Sequence, residues 1–349
     1  MEKHIRILTI VLAIQVILAL VLVFFGPGLS TQGPDIGLVA FKGADIDGVS
    51  IAGGAGESIT LAKKDGHWIL PDHKGFPANG PQVDSLLEGL SHLKHGLPVA
   101  TTASAQTRFK VAEKEFERKI VLSQNGTSKV VLYLGTSPGL RQVHARLEGS
   151  EATLSVAFAN HQAPVKVDEW MDKSILAIPL EEIATMTFAG LTVTRQEPAP
   201  PAEKKDVKPE ATNAPTPPAE QVSWTLQPLA SGETANMEEL AKLARAVAHL
   251  SADGLEEAVG DNATAMDKPL LELTVKRKNG SETVFKFAKV EKTNLSLVKF
   301  SGRDEIFRIA NAVGDMFLKN ARKESLIVAP KKVEAPKEEG FKAAPLPTP

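Results

Sequence analysis

The chain has 349 residues, 43% of them hydrophobic, with 40 Lys plus Arg against 42 Asp plus Glu and no cysteine. That length accommodates two domains of ordinary size, and the near-neutral charge lacks the basic face that nucleic acid requires. Without cysteine there is no disulfide, Cys-ligated zinc, lipid-modified cysteine or thiol nucleophile, and 5% aromatic residues leave little for a stacking platform.

Ile7 to Phe25 is a 19-residue stretch without a charge, interrupted by Thr9 and Gln15. A helix of that length rises about 28 Å, close to a bilayer's hydrocarbon thickness. It exceeds the usual core of a signal peptide, and Phe24-Phe25-Gly26-Pro27 offers no small-x-small cleavage site. The stretch reads as an uncleaved transmembrane anchor. Lys3 and Arg6 precede it, and no Lys or Arg occurs from Gly26 to Phe41. The positive-inside bias puts residues 1–6 in the cytoplasm and the body in the periplasm, so the expected location is the inner (cytoplasmic) membrane, single-pass. Residues 26–43 are a spacer.

The rest of the chain is one folding unit written twice. The first copy opens with a strand through Asp45, Ile46, Val49, Ile51 and Gly53, and the second with Glu182, Ile183, Met186, Phe188 and Gly190. Ile59-Thr60-Leu61 matches Leu191-Thr192-Val193, and Trp68-Ile69-Leu70 matches Trp224-Thr225-Leu226. Alternation of apolar and polar residues predicts half-buried strands. Asn79 and Asn236 then begin runs that match at a constant offset of 157 residues. Each asparagine is an N-cap candidate with Gln82 or Glu239 three residues on, the spacing of a capping box. Val83, Leu86, Leu87, Leu90 and Leu93, like Leu240, Leu243, Ala244, Val247 and Leu250, form one apolar stripe of an amphipathic helix. Hairpins follow at Asn125-Gly126 and Asn279-Gly280, where Asn-Gly supplies positive φ angles. Short strands come next at Gln142 to Arg146 and Ala152 to Phe158, then at Leu295 to Lys299 and Ile306 to Ile309. A helical turn is expected to close each copy, near Trp170-Met171 and near Met316-Phe317.

The expected fold class is α+β: a tandem repeat of two similar units, each an antiparallel sheet with a packed helix, after one N-terminal transmembrane helix. Residues 44–179 form the first domain and 180–327 the second. Residues 197–221 carry seven prolines in 25 residues. They fall where the first copy has only an Asp65-Gly66 turn, so they read as a disordered insertion inside the second domain rather than as a linker between domains. Residues 328–349 read as a disordered tail.

Several short motifs touch on chemistry. Gly135-Thr136-Ser137-Pro138-Gly139 matches the hydrolase elbow G-x-S-x-G, but Pro138 has no N–H for an oxyanion and an extended segment follows. Gly53-Gly54-Ala55-Gly56 is glycine-rich like a phosphate loop, yet leads into a strand. His92 and His95 lie near a helix end without a third ligand, and only His92 has a counterpart, His249; His67 and His73 flank a turn. Asp45-Ile46-Asp47-Gly48 begins like a calcium loop and lacks its later ligands. Glu113, Glu115 and Glu117 alternate with Lys114 and Arg118 as a solvated charge run does. Asn125, Asn262, Asn279 and Asn294 sit in N-x-Ser/Thr sequons. No catalytic, cofactor-binding or metal residue is assigned, and no cofactor is expected.

Gly66-x-Trp68, Ala78-Asn79 with its leucine-rich helix, and Trp170-x-Asp172-Lys173 resemble an uncharacterised family of bacterial envelope proteins, known only as a domain of unknown function. Over the likeness, roughly residues 40–325, the second copy departs at Met316-Phe317-Leu318-Lys319. Members of that family often look like neighbours of gliding-type ABC transporter components. The resemblance implies an accessory role beside a transporter and carries over no catalytic residue. The expected function is therefore non-catalytic: a membrane-anchored periplasmic accessory protein that binds an envelope partner such as ABC transporter subunits. The alternative is a periplasmic binding module for an envelope glycan, lipid or small solute.

Overall fold

A computed structural model describes residues 36–196 and 222–328, together with Val11, Leu12, Ile14 and Gln15. The chain divides between Asp172 and Lys173 into two compact units.

The first unit runs β1 (Ile36–Gly37), β2 (Gly48–Gly53), β3 (Ser58–Lys64), β4 (His67–Leu70), β5 (Phe76–Pro77), α1 (Gly80–Ser91) and β6 (Lys94–His95). It continues through α2 (Ala103–Arg108), β7 (Arg118–Gln124), β8 (Thr127–Leu134), β9 (Val143–Leu147), β10 (Leu154–Val156) and α3 (Val167–Trp170). The ten strands form one antiparallel sheet in the order β1-β6-β10-β9-β8-β7-β2-β3-β4-β5. Alternate residues of its strands, among them Val49, Ile51, Ile59, Leu61, Ile120, Leu122, Leu132 and Leu134, are buried. This is the period-2 pattern of a sheet with one face in the core. Helix α1 buries Val83, Leu86, Leu87 and Leu90 and packs against β4. Each such side chain taken out of water stabilises by about 1.5–3 kcal/mol.

The second unit contains β11 (Ile183–Phe188), β12 (Leu191–Gln196), β13 (Ser223–Gln227), β14 (Thr234–Ala235), α4 (Met237–Ala248), β15 (Gly254–Glu256) and α5 (Gly260–Asp267). Then come β16 (Leu271–Arg277), β17 (Glu282–Val290), β18 (Leu295–Phe300), β19 (Ile306–Ile309), α6 (Asn311–Asn320), α7 (Lys323–Leu326) and β20 (Ile327–Val328). Its eight-stranded sheet has the order β13-β12-β11-β16-β17-β18-β19-β15, and β14 pairs separately with β20.

Taken element by element, the two sheets share the strand order from β6 to β4 and from β15 to β13. The registers agree residue by residue. Val49 faces Leu61 and Ile51 faces Ile59, as Met186 faces Val193 and Phe188 faces Leu191. Lys63 faces Trp68 as Arg195 faces Trp224. Leu132 faces Leu147 as Phe285 faces Phe300, and Leu154 faces Ala145 as Phe307 faces Val298. Strands β12 and β13, which flank residues 197–221, are paired neighbours in one sheet.

Several expectations need correction. The α+β class does not hold: both units are mostly antiparallel sheet, and the longest helices among the described residues, α1 and α4, have 12 residues each. The reason is the number of short strands, several of only two or three residues, that add to each sheet without a helix between them. The anchor over 7–25 lies outside the described residues except for Val11, Leu12, Ile14 and Gln15. No helix among the described residues is long and apolar enough to cross a membrane. A 12-residue helix rises only about 18 Å. The N-terminal transmembrane helix and the single-pass inner-membrane location drawn from it are corrected on that finding. Residues 197–221 and 329–349, and the spacer up to Asp35, also lie outside the described residues.

The closing segment is corrected as well. Asn79 N–H donates to the carbonyl of Trp170 (2.7 Å), and Asn236 N–H donates to that of Leu326 (2.8 Å). Ala78 bridges Met171 as Ala235 pairs with Ile327. The counterpart of Trp170-Met171 is therefore Leu326-Ile327, while Met316 and Phe317 belong to α6. The asparagine side chains do cap, accepting from Gln82 N (3.2 Å) and Glu239 N (3.4 Å). The return half of the capping box is absent, because the closing carbonyl already takes the asparagine N–H. Finally, Asn125 and Gly126 both have positive φ, whereas at the second hairpin only Gly280 does. There Asn279 Oδ1 instead accepts from Ser281 N at 2.9 Å.

Candidate functional site

The two units differ at the segment Phe109 to Glu117, between α2 and β7: nine residues stand there where the second unit has three, 268–270, between α5 and β16. In the first unit this segment lies across the β8–β9 end of the sheet. Thr136 N–H donates to the Phe109 carbonyl (2.9 Å), Glu117 N–H to that of Leu134 (3.1 Å), and Gly54 N–H to that of Glu117 (3.2 Å). The approach is so close that a Cβ on Gly135 would collide with the carbonyl oxygens of Phe109 and Lys110, and one on Gly54 with that of Phe116. Both glycine-rich motifs thus have a packing role, since only glycine lets another backbone lie directly on it.

Beneath the segment two polar side chains are buried, His144 and Arg146. His144 stacks on Phe109 with ring centroids 4.1 Å apart, and its Nδ1 lies 3.0 Å from Thr136 Oγ1 and 2.8 Å from the Thr136 carbonyl. Arg146 is 4% exposed. Its Nε donates to the Val111 carbonyl (2.7 Å), its Nη1 to the Ser150 carbonyl (3.2 Å), and its guanidinium lies 4.6 Å from the Tyr133 ring centroid. Carbonyl dipoles and the ring quadrupole offset the desolvation of this cation. The Tyr133 hydroxyl donates to Glu148 Oε1 at 3.2 Å.

The registers place Lys286 at the site of Tyr133, Lys299 at that of Arg146, Leu297 at that of His144, Ala288 at that of Gly135 and Leu271 at that of Arg118. In the second unit this face carries Lys286 opposite Lys299, each beside a carboxylate: Glu272 at 3.1 Å and Asp304 at 3.8 Å. An open depression of about 610 Å³ adjoins them, walled by Phe300 and Met266.

On the first unit an open groove of about 450 Å³ is lined by Gly54, Lys110, Lys114, Glu115, Phe116, Glu117 and Arg118. Glu117 is engaged by Asn160 Nδ2 (2.7 Å) and Lys110 Nζ (3.7 Å). The Arg118 guanidinium is half-buried and anchored by backbone carbonyls, Nε to Ala163 (3.0 Å) and Nη1 to Glu117 (2.7 Å).

Those residues singled out in sequence that lie in the first unit are scattered over it. Ser137 lies in the connection between β8 and β9, its Oγ 2.6 Å from the carbonyls of both Gly139 and Gln142. His92 caps α1, with Nδ1 2.9 Å from the Glu88 carbonyl, and His95 Nδ1 lies 2.8 Å from the Gly96 carbonyl. Asp47 Oδ2 accepts from Asn125 N at 2.7 Å and so holds the hairpin turn. No group of three or more His, Asp or Glu side chains among the described residues is placed to hold a metal ion. Arg146 and His144 escaped the sequence reading because each sits at an outward position of its strand, where a polar residue looks solvated; Arg118 was read as part of a solvated charge run, although it lies in phase with the buried Ile120 and Leu122. The signal that could have found them is the pair of glycines, Gly54 and Gly135, that admits the covering segment.

No curated protein and no solved structure matches the chain. A family model, Domain of unknown function (DUF4340), matches residues 68–269, from the tryptophan of β4 to the end of the α5 segment. The match spans parts of both units and more than half of the chain, which therefore belongs to this family of domains of unknown function.

Proposed function

We propose that the protein acts by binding another protein, as a non-catalytic accessory subunit, and that the outer edge of β13 is where a partner strand adds. One observation carries this reading. In the first unit β4 is flanked by β5, with Ile69 facing Pro77 and Leu70 facing Phe76. In the second unit the counterpart strand β13 ends the sheet, and β14 pairs with β20 instead. Among the described residues β13 has a strand partner on one side only. Its outward backbone groups form a template for strand addition, a recurring mode of protein recognition. Ser223, Thr225 and Gln227 are exposed between the buried Trp224 and Leu226, so the strand is anchored in the core and polar outside.

The likeness of Gly66-x-Trp68 and Ala78-Asn79 to proteins beside gliding-type ABC transporter components makes subunits of such a transporter the first partners to test. The test is crosslinking of the full chain in its native cells, followed by co-purification and mass spectrometry. A partner recovered in fixed ratio, and lost on Thr225→Lys, supports the reading. Recovery of the protein alone overturns it.

A further inference from the structure

We propose that the groove between Gly54 and the Lys110–Arg118 segment of the first unit binds a small oxyanion, a carboxylate or a phosphate, on Arg118 and Lys114. Unlike the β13 edge, this site concerns a solute and does not depend on the protein partner.

The argument begins with Arg118. Two of its donor atoms are fixed by the carbonyls of Ala163 and Glu117, which immobilises the guanidinium without neutralising it. Among the described residues no carboxylate pairs with it, and its Nη2 has no protein partner. The nearest acid in sequence, Glu117, gives its carboxylate to Lys110 and Asn160. A half-buried, anchored guanidinium with unused donors suits a planar oxyanion, because the ordering cost has been met by the fold.

The surroundings fit the same ligand. Lys114 is exposed on the groove wall and has no ion-pair partner among the described residues, so it can close on an anion without breaking an existing contact. Phe116, its ring 5.8 Å from that of Tyr133, supplies an apolar wall for the body of an organic acid. Glu115 limits the charge the groove accepts, which favours a singly or doubly charged solute over a polyanion. In the second unit the place of Arg118 is taken by Leu271, so the site belongs to one copy only.

The experiment is calorimetric titration of the full chain at low salt with two probes, succinate and inorganic phosphate. It compares the natural sequence with Lys114→Gln, an exposed change that leaves the fold intact, and with Arg118→Gln. The expected result is saturable binding of at least one probe, weakened about tenfold or more by Arg118→Gln and several-fold by Lys114→Gln, as loss of a charge-assisted hydrogen bond implies. Tighter succinate identifies a carboxylate ligand, and tighter phosphate a phosphate ligand. No saturable binding of either probe, or binding unchanged in Lys114→Gln, overturns the proposal even if Arg118→Gln fails to fold.

Discussion

Gly135 lies directly beneath the carbonyl oxygen of Phe109, with no room between them for a β-carbon. Gly135→Ala must therefore lift the Phe109–Glu117 segment from the sheet or bend β8. The expected loss is about 3 kcal/mol, at the upper end for overpacking, and it should expose the Arg146 guanidinium. Gly139→Ala, four residues on, meets nothing within 4 Å and should be neutral. Denaturant unfolding of both variants checks this, and equal midpoints would refute the close-approach argument.

Arg146 holds that segment from below. Arg146→Ala strands the carbonyls of Val111 and Ser150 and leaves a void over Tyr133. A destabilisation of about 3 kcal/mol is expected. Arg146→Lys should recover less than half of it, since an ammonium cannot reproduce the fork or the stacked contact. Complete rescue by lysine, read by urea unfolding, would mean that only the charge matters.

The two N-caps should be worth the same. Asn79→Ala and Asn236→Ala each remove one side-chain acceptor from a helix start, at Gln82 N and Glu239 N. Each substitution should cost about 1 kcal/mol. The backbone bonds to Trp170 and Leu326 remain, so neither variant should lose its closing segment. Hydrogen exchange at the amides of Asn79 and Asn236 would test that second half.

On the exposed face of α4, Lys242 Nζ lies 2.8 Å from Glu238 and 2.9 Å from Glu239. The hydrogen bond from Lys242, and next its charge, hold the Glu238 carboxyl below the usual carboxylate range. The hydrogen bonds to Glu238 and Glu239 raise Lys242 above the usual lysine value. The folded carboxyl is depressed, so its contribution is present above the unfolded pKa and is lost as pH falls through the folded value. The lysine contribution runs the other way and is lost as pH rises through its raised folded value. A carbon-detected NMR titration should show the Glu238 midpoint moving up in Lys242→Met, and also in concentrated salt, because the pair is fully solvated. An unmoved midpoint in both conditions would show that the pair does not form in solution.

The correspondence between the copies was legible in the sequence, but the fold class built on it was not. Val49 with Met186, and Leu61 with Val193, could be matched because inward positions of a strand recur every two residues and tolerate only apolar replacement; that Val49 faces Leu61 as Met186 faces Val193 is seen only in the fold. The closing segment was misplaced because Trp170-Met171 and Leu326-Ile327 share a hydrogen-bonding role and no side-chain chemistry. Met316-Phe317 merely looked more alike. A backbone donor, such as Asn79 N–H, leaves no trace in the side-chain alphabet. The candidate site was hidden for a related reason. The same strand pattern bears Tyr133 and Arg146 in one copy and Lys286 and Lys299 in the other. Whether such a face is covered depends on a segment some twenty residues upstream and on whether a glycine admits it. The uncharged run at 7–25 met a length criterion for a span, but all of it except Val11, Leu12, Ile14 and Gln15 lies outside the described residues, among which no helix is long and apolar enough to cross a membrane.

Strands β12 and β13 lie side by side although 26 residues separate Gln196 from Ser223 on the chain, against the two-residue turn that joins Lys64 to His67 in the first unit. Closing a longer loop costs only about 0.6 kcal/mol for each doubling of its length. From two residues to 26 that is nearly four doublings, about 2 kcal/mol, a cost the second sheet bears whatever sequence joins its strands. A chain cut between residues 197 and 221 should remain assembled, and one spliced with a two-residue Asp-Gly turn should fold as well. That position is a natural socket where foreign sequence could be inserted, lengthened or exchanged while the surrounding architecture stays constant.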